Sequence, residues 1–493
     1  MTETELITLS IPADADYFPC VKFSARECAT RLGFPPRDCD RICLALEEAM
    51  LDAIRFGYGG EHDRLHISLA RASMGLKMLL KSRGLALERE NLPKYNPSFA
   101  QQGQDLTGLS FHLIQKMVDT VSLTVQDDGQ IELSMLKRLH VQRIKDEAET
   151  DTPRDGTPRA EHAIEQYSLR LATPGDADAI SRLALRAHGT VLFSEQIYYP
   201  ERVREMIATG EMVSAVAVTQ SGVMGHGGLV VQDSDGCIEE LTYAVVDSRV
   251  RGQGCATDMA RFLIDGARER GVYALQCFAV TSHVHSQRAI EHLDFRECAL
   301  LLGTSSPARH WDHDDGERPN RIGNLLYTKF LQPTEPMRLH VPARHREMIG
   351  KLFALRSGPV SFVDTQVDAL PTEKTQLTTH ADFKEGWALI TIKTYGADAV
   401  AQVQSQLANA VSGNLPVVQL MLPLSDPCTA TLCERFEALG FFFAGVGTGP
   451  DRGENLILQY LNGIEPGFDS VYVHSDIAKE LVEYVRGCEA KRG

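Results

Sequence analysis

Apolar and polar residues follow one another in three successive runs of strands and helices, interrupted by a single long stretch with almost no apolar content. The first run predicts a strand at Glu5–Ile11, helices around Tyr17–Leu32 and Arg37–Phe56, and strands at Arg64–Arg71, Gly75–Lys81, Val121–Gln126 and Gln130–Leu136. The stretch Lys145–Ala163, KDEAETDTPRDGTPRAEHA, is charged, holds two prolines and lacks periodicity, as a linker does. The second run predicts a strand at Tyr167–Ala172 and a helix opened by Pro174-Gly175-Asp176 that reaches about His188. A hairpin follows at Val213–Thr219 and Val223–Val231, turning at Gly222. Next come a strand at Ile238–Val246, a glycine-rich loop, and a helix with Met259, Leu263 and Ala267 on one face. Ala274–Val280 is a strand, and Ser286–Leu293 is a helix leading into Phe295.

The third run repeats the end of the second. Ala274–Phe295, ALQCFAVTSHVHSQRAIEHLDF, compares with Val417–Phe441, VVQLMLPLSDPCTATLCERFEALGF: an apolar strand, a polar turn, then a helix ending in Leu-Asp-Phe or Leu-Gly-Phe. A strand follows each (Glu297–Leu302; Phe442–Val446), then a closing strand after asparagine (Asn324–Tyr327; Asn455–Leu458). Such self-similarity predicts a second unit of the same fold. The expected architecture is therefore α/β (α+β) in three domains, 1–142, 165–331 and 332–493, with 143–164 as linker. A chain of 493 residues agrees with that count at roughly 150 residues per domain.

The loop between the strand Ile238–Val246 and its following helix carries the sharpest chemistry. It reads Arg251-Gly252-Gln253-Gly254-Cys255-Ala256. Two glycines let backbone approach a ligand without Cβ interference, and the new helix directs N–H groups and its positive dipole end at an anion. Arg251 adds positive charge, so a pyrophosphate site is the physical reading.

Arg-x-x-Gly-x-Ala at 251, 254 and 256, within this element order, resembles the acyl-CoA signature of the GNAT acetyltransferases across about residues 165–331. The resemblance implies acetyl-CoA as cofactor, held by Val245, Val246, the loop 251–256 and His283, and an amine as acceptor. Acetyl transfer needs a base for the ammonium proton. Glu239 and Glu240 stand near the place where many GNAT enzymes carry theirs, and strand alternation sends only one of them to the acceptor. Glu239 is the first expectation; the alternative is a pair of solvated strand-end carboxylates. The tyrosine that protonates the leaving sulfur in many GNATs is replaced by Ile290, which leaves Ser286, His283 or water. In the third run the corresponding loop is Tyr395-Gly396-Ala397-Asp398-Ala399-Val400, with one glycine, no arginine and a repelling aspartate. A GNAT-like repeat without acyl-CoA binding is expected, serving to pack on the active unit or shape its acceptor groove.

The helix ICLALEEAMLDAIRF in the first run resembles that of the anti-sigma-factor serine kinases of the GHKL ATPase group. There Glu-x-x-x-Asn supplies a base and a Mg²⁺ ligand; Glu48 and Asp52 match, four apart and on one face, and Asp52 suits Mg²⁺ as an oxygen ligand. The family's adenine-reading Asp-x-Gly corresponds to Ser82-Arg83-Gly84, and its phosphate lid is reduced to a stretch around Gly108. The resemblance implies a GHKL-type sandwich in which ATP and Mg²⁺ binding is weakened and a protein partner is retained.

Composition narrows the classes. A net charge of −16 and pI near 5.5 argue against broad nucleic-acid or anionic-membrane binding. The 11 cysteines form no Cys-x-x-Cys pair, which reads as reduced core thiols. The first residues lack an apolar signal core and no run is long enough to span a bilayer, so a cytoplasmic location is expected. His310, Asp312, His313, Asp314 and Asp315 lie in a polar insertion, and His283 and His285 on a loop; neither set has diagnostic metal-ligand spacing. The leading expectation is acetyl-CoA-dependent N-acyl transfer under an ATPase-like signalling domain. The runner-up is a partner-switching regulator whose GNAT module only senses acyl-CoA.

Overall fold

The computed structural model describes residues 4–56, 64–83, 109–139, 166–188, 194–232, 235–305, 321–333, 336–354, 359–363, 371–449 and 452–491. In the first unit, β1 (Thr4–Pro12), α1 (Phe18–Leu32), α2 (Pro36–Phe56), β2 (Arg64–Ala72), β3 (Gly75–Arg83), α3 (Leu109–Met117), β4 (Thr120–Val125) and β5 (Gln130–Arg138) form a helix-on-sheet sandwich. On α2, Ile42, Ala45, Leu46, Ala49 and Met50 recur at helical spacing, and all are buried against β2 and β3 side chains.

The middle unit runs β6 (Ser168–Leu171), α4 (Ala177–His188), α5 (Pro200–Thr209), β7 (Met212–Thr219), β8 (Gly222–Val231), β9 (Ile238–Val246), α6 (Cys255–Glu269), β10 (Ala274–Val280), α7 (His285–Glu291), β11 (Arg296–Ser305) and β12 (Ile322–Phe330). A second helix, α5, stands where the sequence pattern gave none. Its apolar positions are few, and Pro200 at its first turn is the start signal. The turn at Pro174–Asp176 is fastened by Asp176, which accepts from the Thr173 N–H at 2.7 Å and the Thr173 hydroxyl at 2.9 Å.

The third unit runs β13 (Met337–Leu339), α8 (Arg346–Ala354), β14 (Val360–Phe362), β15 (Gln376–Asp382), β16 (Trp387–Thr394), α9 (Ala399–Ser412), β17 (Val417–Pro423), α10 (Pro427–Glu437), β18 (Phe442–Thr448), β19 (Glu454–Leu461) and α11 (Asp476–Glu489). The repeat is visible in strand direction. β9 and β10 pair parallel in the middle unit, β16 and β17 pair parallel in the third, and every other neighbour in the main sheet is antiparallel.

Seventeen strands form one hydrogen-bonded series, β1-β2-β3-β5-β4-β15-β16-β17-β19-β18-β11-β12-β10-β9-β8-β7-β6. The first unit joins through β4, which pairs with β15. The two GNAT-like units join through β11 and β18 at a single backbone rung, Ala299 with Gly445. Gly445 is obligatory there: a Cβ would lie 2.3 Å from the Cys298 carbonyl oxygen. Gln459, fully buried, completes the seam by accepting from the Leu302 N–H at 2.9 Å and donating to its carbonyl at 2.8 Å. One apolar core continues from α6 into α8–α11, while α4 and α5 cover the opposite face of β7 and β9.

Candidate functional site

β9 and β10 are nine and seven residues long, yet they pair only over Ile238–Glu240 and Ala274–Gln276. Beyond those rungs each strand continues without the other, which opens a wedge in the sheet. The loop that ends β9 and begins α6 lies at the mouth of this wedge.

At that mouth the helix N-terminus is open. Gly252 and Gly254 have φ of 80° and 84°, the left-handed region that favours glycine, and a Cβ on either would meet nothing within 4 Å. Gly254 is the N-cap of α6. Beneath it Cys255 and Met259 are buried against β8, where Gly225 lets the helix come close: a Cβ there would sit 3.1 Å from the Cys255 sulfur. Burial pushes the Cys255 thiol up to about 11, so it serves as packing. Arg251 is exposed and donates to the Val246 carbonyl at 2.9 Å, which holds its guanidinium beside the loop. Asp258, in the first helical turn, accepts from the Tyr167 hydroxyl at 2.7 Å. Gln253 and Ala256 complete the loop, and Val245 is buried while Val246 is half-buried.

The third unit shows the same position sealed. A Cβ on Gly396 would stand 2.2 Å from the Glu373 carbonyl oxygen and 2.5 Å from the Thr375 nitrogen. Thr375 donates its N–H to Asp398 at 2.8 Å and receives the Gly396 N–H on its hydroxyl at 3.0 Å, and Ala397 N–H donates to the Glu373 carbonyl. The chain's own backbone at Glu373–Thr375 thus fills the place an anion would take. The strands there also stay together longer, over five rungs from Trp387–Thr391 with Val417–Met421.

The two candidate bases separate by face. Glu239 sits opposite Leu275 on the face covered by α6; it is 4% exposed and its carboxylate is 2.6 Å from Arg270, which follows the far end of α6. It is neither solvated nor at the mouth: six residues of strand separate it from Val246, about 23 Å along the strand. Glu240 is half-buried, opposite Gln276, on the other face at the vertex of the wedge. On that face the third unit's β18–β19 turn approaches: Gln276 donates to the Thr448 carbonyl at 3.0 Å, and Arg452 lies 2.9 Å from the Cys237 sulfur and over the Tyr273 ring.

A feature unseen in the sequence shapes the wedge wall. Tyr243 has φ of 54°, and pairing of β8 with β9 shifts register between His226 and Gly228, a bulge that turns Tyr243 and Val245 toward α4 and α5. His226 holds it: Nδ1 lies 3.0 Å from the Tyr243 carbonyl and Nε2 lies 3.1 Å from the Ser214 hydroxyl. Complete burial, opposed only in part by the Tyr243 carbonyl, depresses His226 to about 4, so the ring is neutral, with Nδ1–H donating and Nε2 accepting.

On α7, Ile290 is buried in the core, and the Ser286 hydroxyl is buried with no hydrogen-bond partner among the described residues. His283 is exposed beside His285, their rings 5.5 Å apart; partial burial and the second imidazole lower its pKa. In the first unit, Ser110 donates to Glu48 at 2.6 Å, Asp52 is half-buried one turn on, and Ser82 lies on β3 opposite Ile131. Gly84 and Gly108 lie outside the described residues, as do the histidines and aspartates of the 306–320 insertion. All 11 cysteines are free thiols, eight of them buried apart from Cys20, Cys28 and Cys237. No helix among the described residues is long and apolar enough to cross a membrane.

Two stretches of the chain match known domain families. Residues 11–137 match the family described as "Histidine kinase-like ATPase domain", and residues 167–296 match "Acetyltransferase (GNAT) domain". The chain therefore joins a histidine-kinase-like ATPase domain to an acetyltransferase domain of the GNAT class. Among curated proteins it is similar to the serine-protein kinase RsbW of Bacillus velezensis, 23% identical over 148 residues, which is 29% of this chain and 91% of the relative. RsbW of Bacillus thuringiensis (strain Al Hakam) is 23% identical over 147 residues, 29% of this chain and 89% of the relative. Among solved structures it is similar to an N-acetyltransferase from Staphylococcus aureus Mu50, 18% identical, covering 34% of this chain and 99% of that one at a TM-score of 0.29. It is also similar to yncA of Salmonella typhimurium, described with its cofactor acetyl-CoA, 17% identical over 34% of this chain and 96% of that one at a TM-score of 0.29.

Proposed function

We propose that the middle unit, about residues 165–331, transfers an acetyl group from acetyl-CoA to an amine. The observation that carries this reading is the open N-terminus of α6 at the mouth of the β9–β10 wedge, beside a repeat in which the same place is closed by backbone. Backbone N–H groups of Gly252–Ala256 hold the pyrophosphate, with Arg251 alongside and His283 at the mouth. The walls Val245 and Val246 align the thioester with the wedge. Glu240 accepts the ammonium proton, directly or through water; the amine nitrogen bonds to the thioester carbon, the carbon–sulfur bond breaks, and the second nitrogen proton passes through water to the leaving thiolate. Ser286 is the nearest substitute for the absent tyrosine on α7. Glu239 is the strut that binds the end of α6 to β9.

The first unit, about residues 1–142, serves as the regulatory domain and meets a protein partner, as its similarity to RsbW suggests. Asp52 on α2 would hold Mg²⁺ with Glu48, on the same face, as the base, and Ser82 would face the adenine, a weaker reader than aspartate. The third unit, about residues 332–493, packs on the middle one and walls its acceptor side. The burial of Ile290 favours one second reading, an acyl-CoA sensor in a partner-switching regulator.

Calorimetric titration with acetyl-CoA tests the proposal. The protein should bind, and Gly254→Val should abolish binding while remaining folded, because a β-branched side chain would enter the phosphate's place. Unchanged affinity in that variant removes the site assignment. Tight binding without turnover on any amine leaves the sensor.

A further inference from the structure

The turn between β15 and β16, Asp382–Gly386, belongs to the third unit but is held by both others. Phe383 enters the first unit: its N–H donates to the Val121 carbonyl at 3.2 Å and its ring meets Phe111 edge-on at 4.5 Å. The next residue points the other way. Lys384 Nζ lies 2.6 Å from Glu195 in the turn before α5. Arg138, at the end of β5, pairs with the same Glu195 carboxylate, so each of the other two units supplies it a cation. One residue further, the Glu385 carbonyl accepts from Arg321 of the middle unit at 2.6 Å.

Both ends of this chain of contacts reach a candidate site. Phe111 follows Ser110, whose hydroxyl is bonded to Glu48. A cation at Asp52 would also attract the Glu48 carboxylate and compete for it with the Ser110 hydroxyl, which ties the first turn of α3 to α2. At the other end, Glu195 begins the turn containing Ile197 and Tyr198, which are buried in one cluster with Tyr243 and Val245 of the wedge wall. These groups form a contiguous chain of side-chain and backbone contacts between the two sites, the kind of physical link through which one site can bias another.

We propose that the Asp382–Gly386 turn couples occupancy of the Glu48–Asp52 site to the cofactor wedge, through Phe111–Phe383 on one side and Lys384–Glu195 on the other. The third unit is then a transmitter between the two functional units. This deepens the acetyl-CoA reading and rests on it. Coupling free energy is reciprocal, so a ligand in the wedge must alter the first unit as the reverse ligand alters the wedge.

The test is amide hydrogen exchange on the full chain with and without acetyl-CoA. Exchange should slow at 252–258 and should also change at 109–117, by about fivefold or more, the lower range of known couplings. Lys384→Met and Phe383→Leu, on opposite sides of the turn, should keep the response at 252–258 and lose the one at 109–117. A wild-type response confined to the middle unit, or a distant response surviving in both variants, overturns the proposal. If acetyl-CoA gives no protection at 252–258, the cofactor reading falls by itself. The ligand-free proteins then decide the coupling: each variant must speed exchange at both 109–117 and 195–209, and unchanged exchange at either segment overturns it.

Discussion

His226 offers a quantitative test of the wedge. Its imidazole is fully buried and neutral, depressed to about 4 from an ordinary 6.5. A group whose folded pKa is depressed contributes stability that is complete above the unfolded pKa and is lost as pH falls toward the folded one. The window here runs from about 6.5 down to about 4. A difference of roughly 2.5 units is worth about 3 kcal/mol at 1.36 kcal/mol per unit, an upper scale for this site. The middle unit should therefore weaken between pH 6.5 and 4, and acetyl-CoA affinity should fall with it, because the fully buried site that holds the bulge at Tyr243 disfavours a charged imidazole. His226→Phe leaves the Tyr243 carbonyl without its donor, at a cost of about 1–3 kcal/mol at neutral pH, and removes the titration. Urea unfolding followed by exchange of middle-unit amides at pH 7.5, 6 and 5 measures both effects. The wild type should lose stability across the series more steeply than the variant. Equal slopes would show that His226 does not titrate as its burial requires.

Three further outcomes follow from the sites. Glu240→Gln should cut acetyl transfer by roughly 10²–10⁴-fold with acetyl-CoA affinity nearly constant, whereas Glu239→Gln should lower the melting temperature and leave the rate per folded molecule within a few-fold; the reverse pattern in steady-state and calorimetric assays would restore Glu239 as base. Gly396→Ala should destabilise the third unit by about 1–3 kcal/mol, since its Cβ would lie 2.2 Å from the Glu373 carbonyl oxygen; unchanged thermal unfolding would mean that the sealed loop is slack. Ser82→Asp should strengthen ATP binding by tenfold or more, a charged hydrogen bond being worth about 1.5–3 kcal/mol, and tight binding by the unaltered chain in the same titration would refute the weakened site.

Where function depends on local pattern, the sequence was legible. The strands at Ile238–Val246 and Ala274–Val280 begin and end as their apolar runs predict, and the glycine loop lies between strand and helix. Contacts distant in sequence were not. His226 is one residue in a glycine-rich strand, and its partners Ser214 and Tyr243 stand 12 and 17 residues away. Arg270 is 31 residues from Glu239, so nothing near the strand shows that this carboxylate is already engaged. Helix α11 did carry a signal, with Ser475 accepting from the Ala478 N–H and Ala478, Leu481, Val482 and Val485 buried along one face. The segment follows the last recognisable strand of the repeat, where the comparison of halves ends.

The middle and third units place a similar strand-to-helix junction in two different settings. In both, a strand runs into a helix whose first N–H groups need acceptors. In the middle unit a Cβ on Gly252 or Gly254 would meet nothing within 4 Å, so that loop is open where the proposed anion would lie. In the third unit the Gly396 and Ala397 N–H groups, just before the helix, already donate to the Thr375 hydroxyl and the Glu373 carbonyl, which fixes the loop. That difference fits the position of each unit in the sheet. The third lies between the other two, joined on one edge through β15 to β4 and on the other through β18 to β11. A wedge opened in its centre would divide the sheet that holds the Glu195 contacts in place. Closing the wedge over five rungs instead of three keeps this span of the sheet continuous, alongside the direct Arg138–Glu195 contact of the first unit with the middle one.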